Sequence, residues 1–192
     1  MSAEAQRVVA PPTNERGRRI PEPLTAAVAF ALSAAAFLHF GVTARAFVSA
    51  VFLIFLVVLS AIDIERGLLP NRIVLPGTVI VLGLQLALFP EHALEWILSS
   101  LLAGVFFLAA YVTYRAGLGL GDVKFALLLG AGLGTGVVLG VFVGMFAAGI
   151  AGIIIVAREG FAARKKTIPL GPFLAFGAVI SLFFGGSQFI SF

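Results

Sequence analysis

The chain has 192 residues, of which 60% are hydrophobic and only 11% are charged, and its formal net charge is +4. A mean hydropathy of +1.11 excludes a water-soluble globular domain and indicates a polytopic membrane protein. Cysteine is absent, which excludes a disulfide framework, a thiol nucleophile and a cysteine-ligated zinc site.

Residues 1–22 differ in composition from the rest of the chain. They contain four arginines and three prolines, and such a segment cannot bury enough apolar surface to fold. We expect a flexible cytosolic tail over residues 1–22 and a single integral membrane domain over residues 23–192. No cleavable signal peptide is expected, because no soluble mature domain follows the first apolar run.

Seven apolar runs follow in chain order. They cover residues 23–40, 46–62, 73–89, 93–114, 123–133, 136–157 and 168–190. Their lengths predict an all-α fold, a polytopic membrane helical bundle with about six to seven transmembrane spans.

The region from residue 122 to residue 157 is too long for one membrane helix. At 1.5 Å per residue it would measure about 50 Å, whereas the apolar core of a bilayer is about 30 Å thick. We therefore predict a break at Gly134-Thr135-Gly136. The break leaves a short helix that begins at the Gly-x-Gly-Asp motif of residues 119–122 and a full span after it.

This break also determines the topology. If the amino terminus is inside, the break places 12 of the 13 Lys and Arg residues on the cytoplasmic side and leaves only Arg45 outside. We therefore expect a multi-pass protein of the plasma (inner) membrane with a cytoplasmic amino terminus. The basic residues are interpreted as topology signals that meet membrane lipid headgroups, and not as a nucleic-acid surface.

Small residues recur every four positions along the sixth run. The stripe consists of Gly136, Gly140, Gly144, Ala148 and Gly152. Such spacing favours close helix packing, and a sliding or gating surface is the alternative interpretation.

Asp63 and Asp122 are the only aspartates in the chain. An acid inside a membrane costs roughly 2.5 kcal/mol or more, which suggests a functional group with a partner. The predicted topology places both at cytoplasmic helix ends, where a coupled pair can activate a water and protonate a departing amine. Gly119 and Gly121 would let an extended peptide approach Asp122. With Lys124, which can bias the charge of Asp122, they are the predicted substrate-binding residues.

Simpler roles are open for the same residues. Asp122 can cap the amino end of its helix, Asp63 can be neutralised by Arg66 or water, and Lys124 can be a cytoplasmic anchor. Glu65 and Glu159 are interpreted as solvated partners of neighbouring arginines. His39 and His92 lack metal-ligand spacing and are interpreted as structural, so neither a metal nor a cofactor is predicted.

Three ordered segments resemble the motifs of the type IV prepilin peptidases, members of the GxGD class of intramembrane aspartyl proteases. Asp63 with Leu69-Pro70-Asn71 is similar to the first catalytic motif of that family, and residues 119–125 match the second. Residues 168–175 resemble the carboxy-terminal Pro-Phe-Gly-Pro signature, with Leu170 in place of the Phe. The resemblance implies that Asp63 and Asp122 are the catalytic pair. It also implies cleavage of the basic leader of a prepilin or pseudopilin at the cytoplasmic face.

The chain departs from longer members of that family. They carry a cytoplasmic domain with paired cysteines that is linked to methylation, so the absence of Cys predicts a short, peptidase-only form. The alternative is a proton-coupled transporter or a secretion or pilus assembly subunit in which Asp63 and Asp122 relay protons or form ion pairs. A presenilin-like enzyme is disfavoured because residues 168–175 lack a Pro-Ala-Leu motif. The substrate, the pathway and the oligomeric state are left open.

Overall fold

The computed structural model describes residues 20–113, 118–159 and 169–185. Within these ranges the chain is helical and contains no β-strand. The helices are α1 (Glu22–Phe40), α2 (Ala44–Arg66), α3 (Asn71–Leu88), α4 (Ala93–Thr113), α5 (Leu120–Leu133), α6 (Val137–Glu159) and α7 (Gly171–Phe184). The all-α prediction is confirmed. Most of the predicted tail, residues 1–19, and the predicted end of the last span beyond residue 185 lie outside the described residues.

Five described segments are long and apolar enough to cross a membrane. They are Glu22–Phe40, Ala44–Arg66, Asn71–Leu88, Pro90–Thr113 and Leu120–Arg158. The helix Gly171–Phe184 is apolar but shorter. The prediction of a polytopic helical membrane bundle is confirmed.

The predicted break in the long apolar region is confirmed. A 3₁₀ turn at Gly134–Gly136 separates α5 from α6, and Gly134 has a φ of +56°, which favours glycine. The carboxylate of Glu95 accepts hydrogen bonds from the Thr135 amide at 3.3 Å and the Thr135 hydroxyl at 3.0 Å. The turn is thus attached to the start of α4, and the 14 residues of α5 form a separate helix about 21 Å long.

Helix α5 lies at the centre of the bundle. It packs against α4, α3 and α7, and most of its side chains are buried. The largest fully buried side chains of the core come from five helices: Phe52, Leu53, Leu56, Leu59, Val74, Val81, Phe107, Phe125, Leu128, Leu129 and Leu174. This packing holds the first turn of α5, which carries Asp122, in a defined position.

Helices α6 and α7 cross closely at small residues. A Cβ on Gly144 would lie 2.8 Å from the Leu174 Cα, and a Cβ on Gly177 would overlap the backbone of Gly140 and Gly144. For Gly140 and Gly144 the predicted helix contact is therefore confirmed. The Ser181 hydroxyl also donates a hydrogen bond of 2.7 Å to the Gly136 carbonyl. These contacts position α7, whose first residue reaches the site described next.

Candidate active site

The three predicted motifs meet at one end of the bundle. Asp63 lies in the last turn of α2, Asp122 in the first turn of α5 and Gly171 at the start of α7. The α2–α3 connection, with Leu69 and Pro70, lies between them. Segments far apart in the sequence thus form one site.

Asp63 is held by backbone groups. Gly67 ends α2 in the left-handed conformation, with φ +62°, and its amide donates to the Asp63 carbonyl at 2.7 Å. The Asp63 side chain is buried, and its Oδ2 accepts a hydrogen bond of 2.8 Å from the Gly171 amide. A Cβ on residue 171 would lie 2.7 Å from that oxygen, so any side chain there would displace the carboxyl group. The start of α7 thus fixes the Asp63 carboxyl group.

Asp122 caps its own helix. Its Oδ2 accepts a hydrogen bond of 2.8 Å from the Gly119 amide, and its amide donates to the Gly119 carbonyl at 3.0 Å. This reciprocal pair satisfies backbone groups at the helix start, as the capping interpretation predicted. Capping uses one carboxyl oxygen and does not exclude a chemical role for the other.

The two carboxyl groups form a pair. They lie at the same end of the bundle, close enough for the charge of Asp63 to act on Asp122. In each of them Oδ2 accepts a backbone amide, whereas neither Oδ1 accepts a hydrogen bond within the part of the chain that the structure describes. This arrangement orients both groups and leaves one oxygen of each for a water or a substrate.

Two of the predicted substrate-binding residues contact the Leu69-Pro70-Asn71 segment. A Cβ on Gly121 would lie 3.0 Å from the Leu69 Cβ, so glycine allows the α2–α3 connection to approach the start of α5. The Lys124 ammonium group donates a hydrogen bond of 2.7 Å to the Asn71 Oδ1. Gly119 is exposed beside the Asp122 carboxyl group. Substrate binding by these three residues stays a prediction.

The other acidic residues of this end have different contacts. Across residues 20–113, 118–159 and 169–185, Asp63 forms no ion pair with Arg66. The Glu65 carboxylate accepts a hydrogen bond of 2.7 Å from the Ile20 amide, and the side chain of Glu159 lies outside the described residues. The neutralisation of Asp63 by Arg66 therefore finds no support.

The two histidines lie in unrelated surroundings. The His39 ring makes edge contacts with Phe40 and Phe183, as the structural interpretation predicted. His92 lies 3.7 Å from the Glu95 carboxylate, near the opposite end of α4 from the aspartates. The described residues contain no group of three or more His, Cys, Asp or Glu side chains that could hold a metal ion.

The roles of Gly67 and Gly171 were not predicted. Gly171 lay in a motif recognised by resemblance, but the hydrogen bond it gives to Asp63 comes from a backbone amide that every residue except proline possesses. The only local signal is a glycine directly before Pro172 at a helix start.

Comparison with known proteins identifies a family match. A model described as the type IV leader peptidase family matches residues 50–157, a range that includes both aspartates. The chain is 32% identical over 170 residues to the prepilin leader peptidase/N-methyltransferase of Burkholderia pseudomallei (strain K96243), covering 85% of this chain and 54% of the relative. It is 29% identical over 167 residues to the protein of the same name from Bacillus subtilis (strain 168), covering 86% of this chain and 66% of the relative.

The chain spans about half of the length of the Burkholderia relative. A third protein of that name, from Pseudomonas aeruginosa, is 32% identical over 155 residues, which cover 77% of this chain and 52% of the relative. No solved structure gives a significant match.

Proposed function

The chain belongs to the type IV leader peptidase family, and we propose that it is an intramembrane aspartyl endopeptidase that removes the basic leader of a prepilin or pseudopilin. The observation that carries this proposal is that the last turn of α2 and the first turn of α5 bring Asp63 and Asp122 to the same end of the bundle, where the start of α7 contacts Asp63. The prepilin leader peptidases that the chain resembles supply the substrate class. The N-methyltransferase part of those names is not extended to this chain.

The geometry supports general acid–base hydrolysis. One carboxylate accepts a proton from a water whose oxygen attacks the scissile carbonyl carbon, and the protonated partner donates to the carbonyl oxygen. The C–N bond then breaks as the amine nitrogen takes the proton that the first carboxyl group accepted from the water, and the second carboxylate recovers its proton from a hydroxyl of the tetrahedral intermediate. The amides of Gly171 and Gly119 hold the two Oδ2 atoms, so each Oδ1 can face the water without rotation of its carboxyl group.

The site requires an unwound substrate. In a helix the scissile carbonyl is hydrogen-bonded and shielded, so the peptide must extend before water can reach it. We propose that Gly119, Gly121 and Lys124 contact this extended segment. Gly119 is exposed and lacks a side chain, so it leaves space beside Asp122.

We propose that the protein lies in the plasma membrane and that its site faces the cytoplasm. Arg66, Arg72, Lys124 and Arg158 all lie at helix ends on the side of the two aspartates, as the positive-inside rule requires.

The decisive experiment is cleavage of a co-expressed leader-bearing prepilin from the same genome. Wild type is compared with Asp63→Asn and Asp122→Asn at equal membrane abundance, and the size of the prepilin is followed by electrophoresis. Each substitution retains shape but removes the ability to exchange a proton, so we expect cleavage to fall by at least about 10²-fold.

Glu91→Gln is the matched control. Glu91 is an exposed carboxylate in the 3₁₀ turn before α4, remote in the fold from the aspartates, and its amide variant should cleave like wild type. Cleavage by either aspartate variant would show that the assigned pair is wrong. A wild type that leaves every prepilin of the genome intact would refute the peptidase proposal and favour proton relay by the same acids.

A further inference from the structure

An apolar groove lies along α2 on the side of α1 and α7, and it reaches the last turn of α2, which carries Asp63. It has a volume of about 400 Å³ and lies between α1, α2 and α7. Its walls include Leu24 and Val28 of α1, Ser60 and Ile64 of α2, and Pro172 and Phe176 of α7.

Two residues of the groove are chain neighbours of residues in the proposed site. Ile64 follows Asp63 directly, and Pro172 follows Gly171, whose amide holds the Asp63 carboxyl group. From Ile64 the α2 wall extends back to Leu56, about 12 Å or two helical turns at 1.5 Å per residue. A peptide cut at Asp63 and continuing into the membrane would follow this path.

The walls suit a helix. Small side chains, among them Ala61 and Ala175, lie between larger apolar ones, a pattern that lets a second helix approach closely. The outer wall is α1, which packs chiefly against α2 and is almost unburied along its length. An incoming helix can therefore enter beside α1 without breaking the core.

One polar group in the groove has no partner. The Ser60 hydroxyl is buried and makes no hydrogen bond within the described part of the chain, and Ser60 precedes Asp63 by one helical turn. A peptide that unwinds at the membrane edge exposes backbone carbonyls that need donors. The Ser60 hydroxyl, which is now buried, would supply one after rotation of its side chain toward the groove.

We infer that this groove binds the apolar helix of the prepilin, the segment that follows the leader, and that the Ser60 hydroxyl donates to its unwound end. The inference rests on the proposed function and names the surface that recognises the substrate. A lipid chain is the competing occupant, and the test below separates the two.

Photocrosslinking from within the groove tests the inference directly. A photoreactive phenylalanine analogue replaces Phe176, whose ring is 54% exposed on the groove wall, in the Asp122→Asn background, so that the substrate binds but is not cut. The matched control is the same analogue at Phe106 of α4, which is 56% exposed and lies outside the groove. We expect a covalent adduct with the prepilin from position 176 and none from position 106.

Equal adducts at both positions, or an adduct with lipid but not with prepilin at position 176, would overturn the inference. Cleavage by wild type is measured with the same substrate. Cleavage by wild type without an adduct from position 176 would refute substrate binding in the groove but not the proposed function. Absence of cleavage would refute the proposed function.

Filling the groove provides a second readout. Val28→Trp places a large ring in the space the substrate helix would occupy, and we expect kcat/KM for the prepilin to fall about tenfold through KM, which corresponds to ~1.4 kcal/mol. Val138→Trp on α6, at a residue that is 73% exposed outside the groove, is the matched control and should leave kcat/KM unchanged. Equal effects of the two tryptophans would overturn the inference.

Ser60→Ala tests the hydroxyl. We expect it to lower kcat/KM several-fold. Ser33→Ala is the matched control, because the Ser33 hydroxyl is likewise buried without a partner in the described chain but lies outside the groove. It should leave kcat/KM unchanged. An unchanged kcat/KM for Ser60→Ala would remove the hydroxyl from the proposal.

Discussion

Asp63 is oriented by a backbone amide, and this makes the residue that supplies the amide sensitive to substitution. The Gly171 amide lies 2.8 Å from Asp63 Oδ2, and the hydrogens on its Cα face the same carboxyl group. An amide donor adds no positive charge, so it orients Asp63 without committing it to the ionised form as a salt bridge would. That property is useful in a group that must exchange a proton.

The first prediction concerns Gly171→Ala. The added Cβ would lie 2.7 Å from Asp63 Oδ2, so the carboxyl group must move away from its present position. We expect prepilin cleavage to fall at least about tenfold, the effect of raising the barrier by ~1.4 kcal/mol. The measurement is cleavage rate at equal membrane abundance, with the melting temperature as a check on folding.

Gly83→Ala is the control for this prediction. Gly83 lies on an exposed face of α3, where an added Cβ meets nothing within 4 Å, so cleavage should match that of wild type. If Gly171→Ala also cleaved at the wild-type rate, the present position of the Asp63 carboxyl group against the start of α7 would not be required for cleavage.

The sequence reveals the acids of the site more readily than it reveals what orients them. Asp63 and Asp122 stand out because a carboxylate is costly in an apolar environment. The amides of Gly119 and Gly171 have no such signature, because every non-proline residue carries one. Their roles depend on where the helices start in space.

Among the elements, α5 is joined to the start of α3 by a side-chain hydrogen bond in addition to their apolar packing. The Lys124 ammonium group donates to Asn71 Oδ1 at 2.7 Å, and the backbone of Leu69 lies against Gly121 one turn away. The contact connects the helix that carries Asp122 to the connection that follows Asp63. It gives Lys124 a structural contact in addition to the predicted role of a cytoplasmic anchor.

The second prediction is a thermodynamic cycle on this contact. Lys124→Met, Asn71→Ala and the double variant are compared by thermal unfolding in detergent. If the hydrogen bond contributes to stability, the two single variants will together lose about 0.5–1.5 kcal/mol more unfolding free energy than the double variant loses. Strictly additive effects would leave only the anchor interpretation. A Lys124→Met loss of cleavage that Asn71→Ala does not share would instead support substrate binding by Lys124.

Helix ends that are set by the thickness of the bilayer could be predicted from the sequence. Helix ends that are set by capping contacts were harder to predict. The break at Gly134 followed from a run too long for one span. Helix α5 begins at Leu120, within the Gly-x-Gly-Asp motif where its start was predicted and three residues before the apolar run, because the Asp122 carboxylate and the Gly119 amide stabilise the first turn. The last helix begins at Gly171 and not at Ile168, next to Pro172, which is favoured in a first turn.

On the scale of the whole molecule, the contacts divide the bundle into two ends. One end contains Asp63, Asp122, Asn71 and Gly171, and the other contains the Glu95–Thr135 contact that holds the break between α5 and α6. The α-helices alternate in direction between these ends. The proposal that the aspartate end faces the cytoplasm therefore determines the side of every described connection.

The last prediction tests this orientation, and the absence of cysteine makes it straightforward because every introduced thiol is unique. Leu68 is 74% exposed in the α2–α3 connection at the aspartate end, and Glu91 is exposed in the 3₁₀ turn at the other end. In intact cells a membrane-impermeant thiol reagent should label Glu91→Cys at once and Leu68→Cys only after the membrane is permeabilised. Since a helical bundle cannot turn over in the bilayer without moving its charged ends through about 30 Å of hydrocarbon, the opposite labelling pattern would place the aspartates outside. A leader held in the cytoplasm could then never reach them, and cytoplasmic prepilin processing by this chain would be refuted even if both aspartates proved essential.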